Sequence, residues 1–170
     1  MRIDFRPLAL DDLPTLHEWL LRPHVAEWWG PAESLDELAA EYGPGIAGTV
    51  PHRAYVVRLD GRPIGFIQSY VATETHDDGW WLDEHDPGVW GIDQFIAEPT
   101  SLGQGLGTRM VRAFVARLFE SPAVTRVQTD PSPENARAIR CYEKAGFRAV
   151  AEIDTLDGRA LLMYCDRPAV

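Results

Sequence analysis

GIDQFIAEPTSLGQGLGTRMVRAFVARLF, running from Gly91 to Phe119, is the stretch from which the rest of the chain can be placed. Its apolar opening, Ile92 to Ala97, has the alternating and β-branched look of a strand. Glu98-Pro99-Thr100-Ser101 then turns the chain, and Gly103, Gln104, Gly105, Leu106 and Gly107 lead straight into a helix. Leu106, Met110, Val111, Phe114, Leu118 and Phe119 recur at helical spacing, with Arg109, Arg112 and Arg117 between them. Glycine lets a backbone come close to a ligand, and the unpaired N–H groups of a helix's first turn face that ligand. A strand, spaced glycines and a helix start therefore make an anion site. A plain flexible corner has the same glycine pattern. No Lys-Ser or Lys-Thr follows the last glycine, which excludes a P-loop, and the dinucleotide fingerprint spacing fails at Thr108.

Working outward from this core, Arg2 to Pro7 predicts a first strand. A helix capped at Asp11 or Asp12 follows, with Leu13, Leu16 and Leu20 on one face. Pro23 suits the first turn of a short helix ending in Glu27-Trp28-Trp29-Gly30. Ser34-Leu35-Asp36-Glu37 is a capping box, so a third helix is expected to about Tyr42, with Gly43-Pro44-Gly45 as its stop. Strands at Ala54–Leu59 and Pro63–Ala72 are joined through Asp60-Gly61, a strong hairpin signal. Downstream, Val124–Thr129 reads as a strand and Glu134–Ala145 as a helix stopped by Gly146. Phe147–Thr155 and Arg159–Cys165 form a closing hairpin through Asp157-Gly158. The result is one α/β (α+β) domain over residues 1–170, a mixed central sheet flanked by helices.

Charge and composition narrow the function. A net charge of −10 argues against nucleic acid or an anionic membrane as partner and favours a cationic small molecule. From Glu74 to Asp93 the chain holds Glu74, Asp77, Asp78, Asp83, Glu84, Asp86 and Asp93 with no Lys or Arg, interleaved with Trp80, Trp81 and Trp90. Carboxylates for ammonium groups and indole faces for sugars or cations make this a candidate cation-binding wall, which Trp28 and Trp29 would close from the other side. A solvated acidic loop whose tryptophans plug the core is the plainer alternative. Calcium is a third, but no EF-hand spacing is present and no metal is expected. There is no membrane-spanning run and no secretory lead, and Cys141 and Cys165 read as buried reduced thiols, so a cytoplasmic location is expected.

The glycine corner, taken with NARAIRCYEKAGF at Asn135–Phe147, resembles the acetyl-CoA-binding motifs of the GNAT acetyltransferase superfamily. EWWG at 27–30, DGWW at 78–81, DPGVWGIDQ at 86–94, LGQGLGT at 102–108, TDPSPEN at 129–135 and AIRCYEKAGF at 138–147 are similar, more specifically, to aminoglycoside 6′-N-acetyltransferases. Leu102 stands where the wider superfamily has Gln or Arg, which leaves main-chain donors and Thr108 for the pyrophosphate.

That resemblance implies direct attack of a 6′-amine on the thioester of acetyl-CoA. Asp93 is the candidate base or ammonium anchor, and Tyr142 the acid that protonates the departing thiolate. An ordinary Asp is a weak base at neutral pH, so a direct role for Asp93 requires a raised pKa. Main-chain N–H groups around Gln94 to Ile96 would meet the oxyanion. The cofactor contacts implied are Phe95, Ile96, Gln104, Gly105, Leu106, Gly107, Thr108 and Asn135. The substrate contacts are Trp28, Tyr42, Asp78, Trp81, Asp93, Asp130 and Asp157. A siderophore-type hydroxylysine N-acyltransferase and a non-catalytic acyl-CoA or drug-binding module are the alternatives. The acid-only stretch counts against the first, and the joint presence of Asp93 and Tyr142 against the second.

Overall fold

The computed structural model describes residues 1–169. The elements run β1 (Ile3–Pro7), α1 (Leu13–Leu21), α2 (Pro23–Trp29), α3 (Leu35–Ala47), β2 (Arg53–Leu59), β3 (Arg62–Val71), β4 (Val89–Ile96), α4 (Leu106–Leu118), β5 (Arg126–Thr129), α5 (Ala136–Lys144), β6 (Arg148–Thr155) and β7 (Gly158–Asp166). Short 3₁₀ turns lie at Leu10–Asp12, Ala72–Asp78 and Pro99–Ser101. Helices and strands follow in the order that the sequence predicts. The seven strands are ordered β1-β2-β3-β4-β5-β7-β6. The β4–β5 pair is parallel, whereas β1–β2, β2–β3, β5–β7 and β6–β7 are antiparallel.

Two compact units divide the chain. One holds Met1–Ser69 and Gln94–Gln104, the other Tyr70–Asp93 and the residues from Gly105 onward. The first is built on an aromatic core. Phe66 stacks on Phe95 at 5.5 Å, and Trp29 meets both rings edge-on, at 5.8 Å and 5.1 Å. Leu13, Leu16 and Leu20 of α1 and Leu38 and Tyr42 of α3 are buried in the same cluster. Ser34 caps α3 as expected: its Oγ accepts from Glu37 N at 3.1 Å, and its own N–H donates to Glu37 Oε2 at 2.8 Å. Ser34→Ala should therefore lower stability by about 1 kcal/mol in a denaturant titration.

The expected stop at Gly43-Pro44-Gly45 is corrected. α3 runs through Pro44 to Ala47 and ends at Gly48, whose φ of 78° gives the left-handed cap. Pro44 lies near the helix end, where the missing N–H removes only one bond. Leu38, Tyr42 and Ile46, four residues apart, keep the last turn against the core.

In the second unit, α4 buries Leu106, Met110, Val111, Phe114 and Val115 and exposes Arg109, Arg112 and Arg117. Asp166, at the end of β7, pairs with Arg126 at 2.5 Å and Arg148 at 3.1 Å, and both guanidinium groups lie against the Tyr164 ring. Cys141 and Cys165 are free thiols, partly rather than fully buried. No described helix is long and apolar enough to cross a membrane.

Candidate active site

β4 and β5 pair with Gly91 opposite Gln128. Asp93 and Asp130 each follow two residues further along, so the strand period returns both side chains to the face of Gly91 and Gln128. Thr129 Oγ1 donates to Ile92 O at 3.2 Å and ties the strands together one residue earlier. Tyr70, near the end of β3, lies across the same face. A Cβ built on Gly91 would stand 2.0 Å from the Tyr70 Cζ, so only glycine leaves room for the ring. Gln128 Nε2 donates to the Tyr70 hydroxyl in a long contact of 3.5 Å, and the Trp81 side chain is close enough to influence the phenol.

The electrostatics follow from this convergence. Burial, then the charges of Asp93 and Asp157, push the Asp130 carboxyl up to about 8. Burial, then Asp93 and Asp130, hold the Tyr70 phenol well above its ordinary value, so it stays protonated at any working pH. Asp93, Asp130, Asp157 and Trp81, all expected from the sequence, thus come into one neighbourhood. Asp78 is exposed at the end of its 3₁₀ turn. Trp81 has a left-handed φ of 50°, rare for an aromatic residue and typical of constrained functional positions. Its carbonyl is 2.9 Å from His76 Nε2, and since a carbonyl only accepts, that ring nitrogen carries the proton. The sequence reading placed neither Tyr70 nor Gln128 among the site residues. A lone glycine inside a strand, Gly91, was the available signal for a close approach.

The other expected residues divide. In the first unit, Trp28 is 44% exposed, while Trp29 belongs to the aromatic core. Tyr42, expected against substrate, is a core residue packed on Phe66 and His52. Phe95 is also in the core, and the Ile96 carbonyl accepts from His24 Nε2 at 2.9 Å. Gln104 donates its side-chain amide to Thr100 O at 2.7 Å, closing its own loop.

In the second unit, Gly105 starts α4 with a φ of 77°, and no side chain caps the helix. A Cβ added at Gly105 would meet open space, so the backbone there is accessible to a ligand, as a phosphate site requires. Leu106 is buried, and Gly107 and Thr108 are half-buried in the first turn. The Thr108 side chain lies near the Cys141 thiol, which burial pushes up, away from reactive thiolate character. Asn135 has a role that the sequence reading missed: its Oδ1 accepts from Ala138 N at 3.2 Å and caps α5. Tyr142 is buried on α5, with its ring edge-on to Phe147 at 5.4 Å. Among the described residues, no three or more His, Cys, Asp or Glu side chains are grouped to hold a metal ion.

The acetyltransferase (GNAT) domain description matches residues 9–155. The aminoglycoside N(6′)-acetyltransferase type 1 of Klebsiella pneumoniae is 49% identical, over 98% of this chain and 84% of its own length. A crystal structure of the aminoglycoside acetyltransferase AAC(6′)-Ib in complex with coenzyme A and kanamycin superposes with a TM-score of 0.91 at 48% identity, covering 98% of this chain and 95% of that one. The lysine N-acyltransferase MbtK of Mycolicibacterium paratuberculosis is more distant, 27% identical over 96% of this chain and 73% of its own length.

Proposed function

Because the chain belongs to the GNAT acetyltransferase family, we propose that it transfers the acetyl group of acetyl-CoA to the 6′-amine of aminoglycoside antibiotics and so confers resistance to them. The observation that supports this reading is that Asp93 and Asp157 both bear on the buried Asp130, beside Tyr70. Such a cluster is costly without a cation, and a polyamine sugar supplies several.

In this reading Asp93 accepts the proton of the attacking amine or anchors it as ammonium. Asp78, Asp130 and Asp157 hold further ammonium groups, and Trp28 and Trp81 line the sugar; Tyr42, buried in the core of the first unit, has no direct contact in this reading. Main-chain donors from Gln104 to Thr108 hold the diphosphate, Asn135 contacts the pantetheine arm, and backbone around Phe95 and Ile96 faces the thioester. Tyr142 returns a proton to the departing thiolate, a modest uphill transfer from a phenol of pKa about 10 to a thiol of about 8.5.

The whole chain acts as one acetyltransferase domain. The family match over residues 9–155, which takes in parts of both compact units, supports this. The free thiols of Cys141 and Cys165 support a cytoplasmic location.

The test is thiol release from acetyl-CoA over a panel of aminoglycosides. Release is expected with drugs bearing a free 6′-amine, and none with analogues carrying a 6′-hydroxyl. Release with the blocked drugs would refute the 6′ assignment, and release only with N6-hydroxylysine would move the chain to the siderophore-type reaction.

The raised carboxyl gives a separate expectation. Between an ordinary Asp value near 3.8 and about 8, folded Asp130 keeps a proton that the unfolded chain has lost. Its contribution to stability is therefore full at low pH and falls as pH rises through that window. Asp130→Asn should melt at a higher temperature than the parent at about pH 8.5, with the difference closing toward pH 4. A pH-independent difference would show that Asp130 is not held neutral.

A further inference from the structure

The run from Ala72 to Trp81 is tied to itself by several hydrogen bonds, and His76 is at their centre. Its Nε2 donates to the Trp81 carbonyl at 2.9 Å. Its own carbonyl accepts from Gly79 N at 2.9 Å, where Gly79 turns the chain with a φ of 86°. Thr75 does the same for Trp80: its carbonyl accepts from Trp80 N at 3.2 Å, and its Oγ1 lies 2.7 Å from Ala72 O and 3.4 Å from Trp80 O. The His76 ring is met edge-on by His85, with centroids 6.1 Å apart. Trp81 has a φ of 50°, which an aromatic residue keeps only where its surroundings hold it. Its carbonyl also accepts from Glu84 N at 2.9 Å, within the turn that follows. The His76 side chain is therefore what ties that oxygen back to the loop before it. A Cβ built on Gly79 would meet Leu156 Cδ1 at 3.5 Å, so this loop rests on the β6–β7 turn, one residue from Asp157.

We propose that His76 is a positioning residue for substrate: its bond to the Trp81 carbonyl fixes the left-handed peptide and so aims the Trp81 indole at the sugar, beside the turn that carries Asp157. The inference rests on the reading of Trp81 and Asp157 as aminoglycoside contacts. A left-handed residue projects its side chain in a different direction from an extended one. Relaxation of φ at Trp81 would therefore swing the indole off the wall it forms. His76 touches neither drug nor cofactor and moves no proton. Its Nε2–H serves the carbonyl equally in the neutral ring and in the imidazolium. The contribution is to geometry, and it belongs to sugar binding rather than to the chemical step.

His76→Ala removes the donor, whereas His76→Gln keeps a side-chain N–H of similar reach. In His76→Ala, KM for kanamycin should rise about fivefold, the scale of one lost hydrogen bond. The kcat is expected to stay within about twofold, since the chemical step is untouched, and KM for acetyl-CoA to stay unchanged. His76→Gln should restore most of the lost affinity. In a Trp81→Ala background, His76→Ala should add nothing, because the indole that His76 aims is already gone. An unchanged kanamycin KM in His76→Ala, an equal loss in His76→Gln, or full additivity with Trp81→Ala overturns the proposal while leaving the acetyltransferase reading intact. A rise in both KM values together with a lower melting temperature assigns His76 a merely structural role and overturns it equally. A kanamycin KM that Trp81→Ala itself leaves unaltered removes the indole wall, and this inference with it. A parent enzyme that releases no thiol with any aminoglycoside overturns the underlying reading as well.

Discussion

Asp93→Asn is expected to lower kcat/KM for kanamycin by about 10²- to 10⁴-fold, the range of a lost general base. Binding of acetyl-CoA, measured by calorimetry, should survive, because the proposed diphosphate grip uses main-chain groups around Gly105. The substitution is nearly isosteric and keeps a polar side chain on β4, so the fold should not suffer. It removes a negative charge that now bears on Asp130 and Tyr70. The Asp130 carboxyl should then titrate closer to an ordinary Asp, and the pH at which residual activity rises should move down. If kcat collapses and the ascending limb of the pH profile is lost, Asp93 is the proton acceptor itself. If KM for the drug rises with kcat largely kept, Asp93 is the anchor. Full activity in Asp93→Asn would remove both roles.

Gly91→Ala carries the second large effect. A single methyl at this position would sit 2.0–2.5 Å from three atoms of the Tyr70 ring, far inside contact distance. The ring is no loose end free to swing aside, since its oxygen is engaged by Gln128 and its surroundings are buried. Overpacking of this kind costs about 1–3 kcal/mol, and the tightness here puts Gly91→Ala at or above the upper end. Urea unfolding should show a lower midpoint with an unchanged slope. The drug KM should rise in the same variant, because the displaced ring disturbs the face shared with Asp93 and Asp130. Unaltered stability would mean that the ring relocates freely and that Gly91 is not the seat of Tyr70.

What the sequence made legible was local. Gly103 and Gly105 before an amphipathic helix, the Ser34–Glu37 cap and the Asp60-Gly61 turn each depend on neighbours within a few residues, and each is where it was expected. Where tertiary packing decides, the local signals failed. Pro44 reads as a helix stop, but the contacts of Tyr42 and Ile46 carry α3 past it. Trp28 and Trp29 are indistinguishable as a string, and only the Phe66–Phe95 stack shows which one turns inward. The acidic face lies between these cases. Its aspartates were identified through recurring strings. The pKa of Asp130 was not, because it arises from three segments that meet only through the pairing of β4 with β5 and the β6–β7 turn. Tyr70 needed the same long-range register and was invisible for the same reason.

One further property follows from the Arg126–Asp166–Arg148 arrangement on Tyr164. β5 begins in that clamp of two cations and one anion, and Asp130 follows the strand, four residues on from Arg126 and about 13 Å away at the usual rise of a strand. Positive charge is thereby gathered at one terminus of a single short segment, and the carboxyl groups that bear on Asp130 lie at the other. An incoming polyamine meets a directional field rather than a uniformly acidic surface, so its amino groups are turned toward the carboxyl end of that segment before contact. Capture should accordingly slow as ionic strength rises, with little change in the rate of departure.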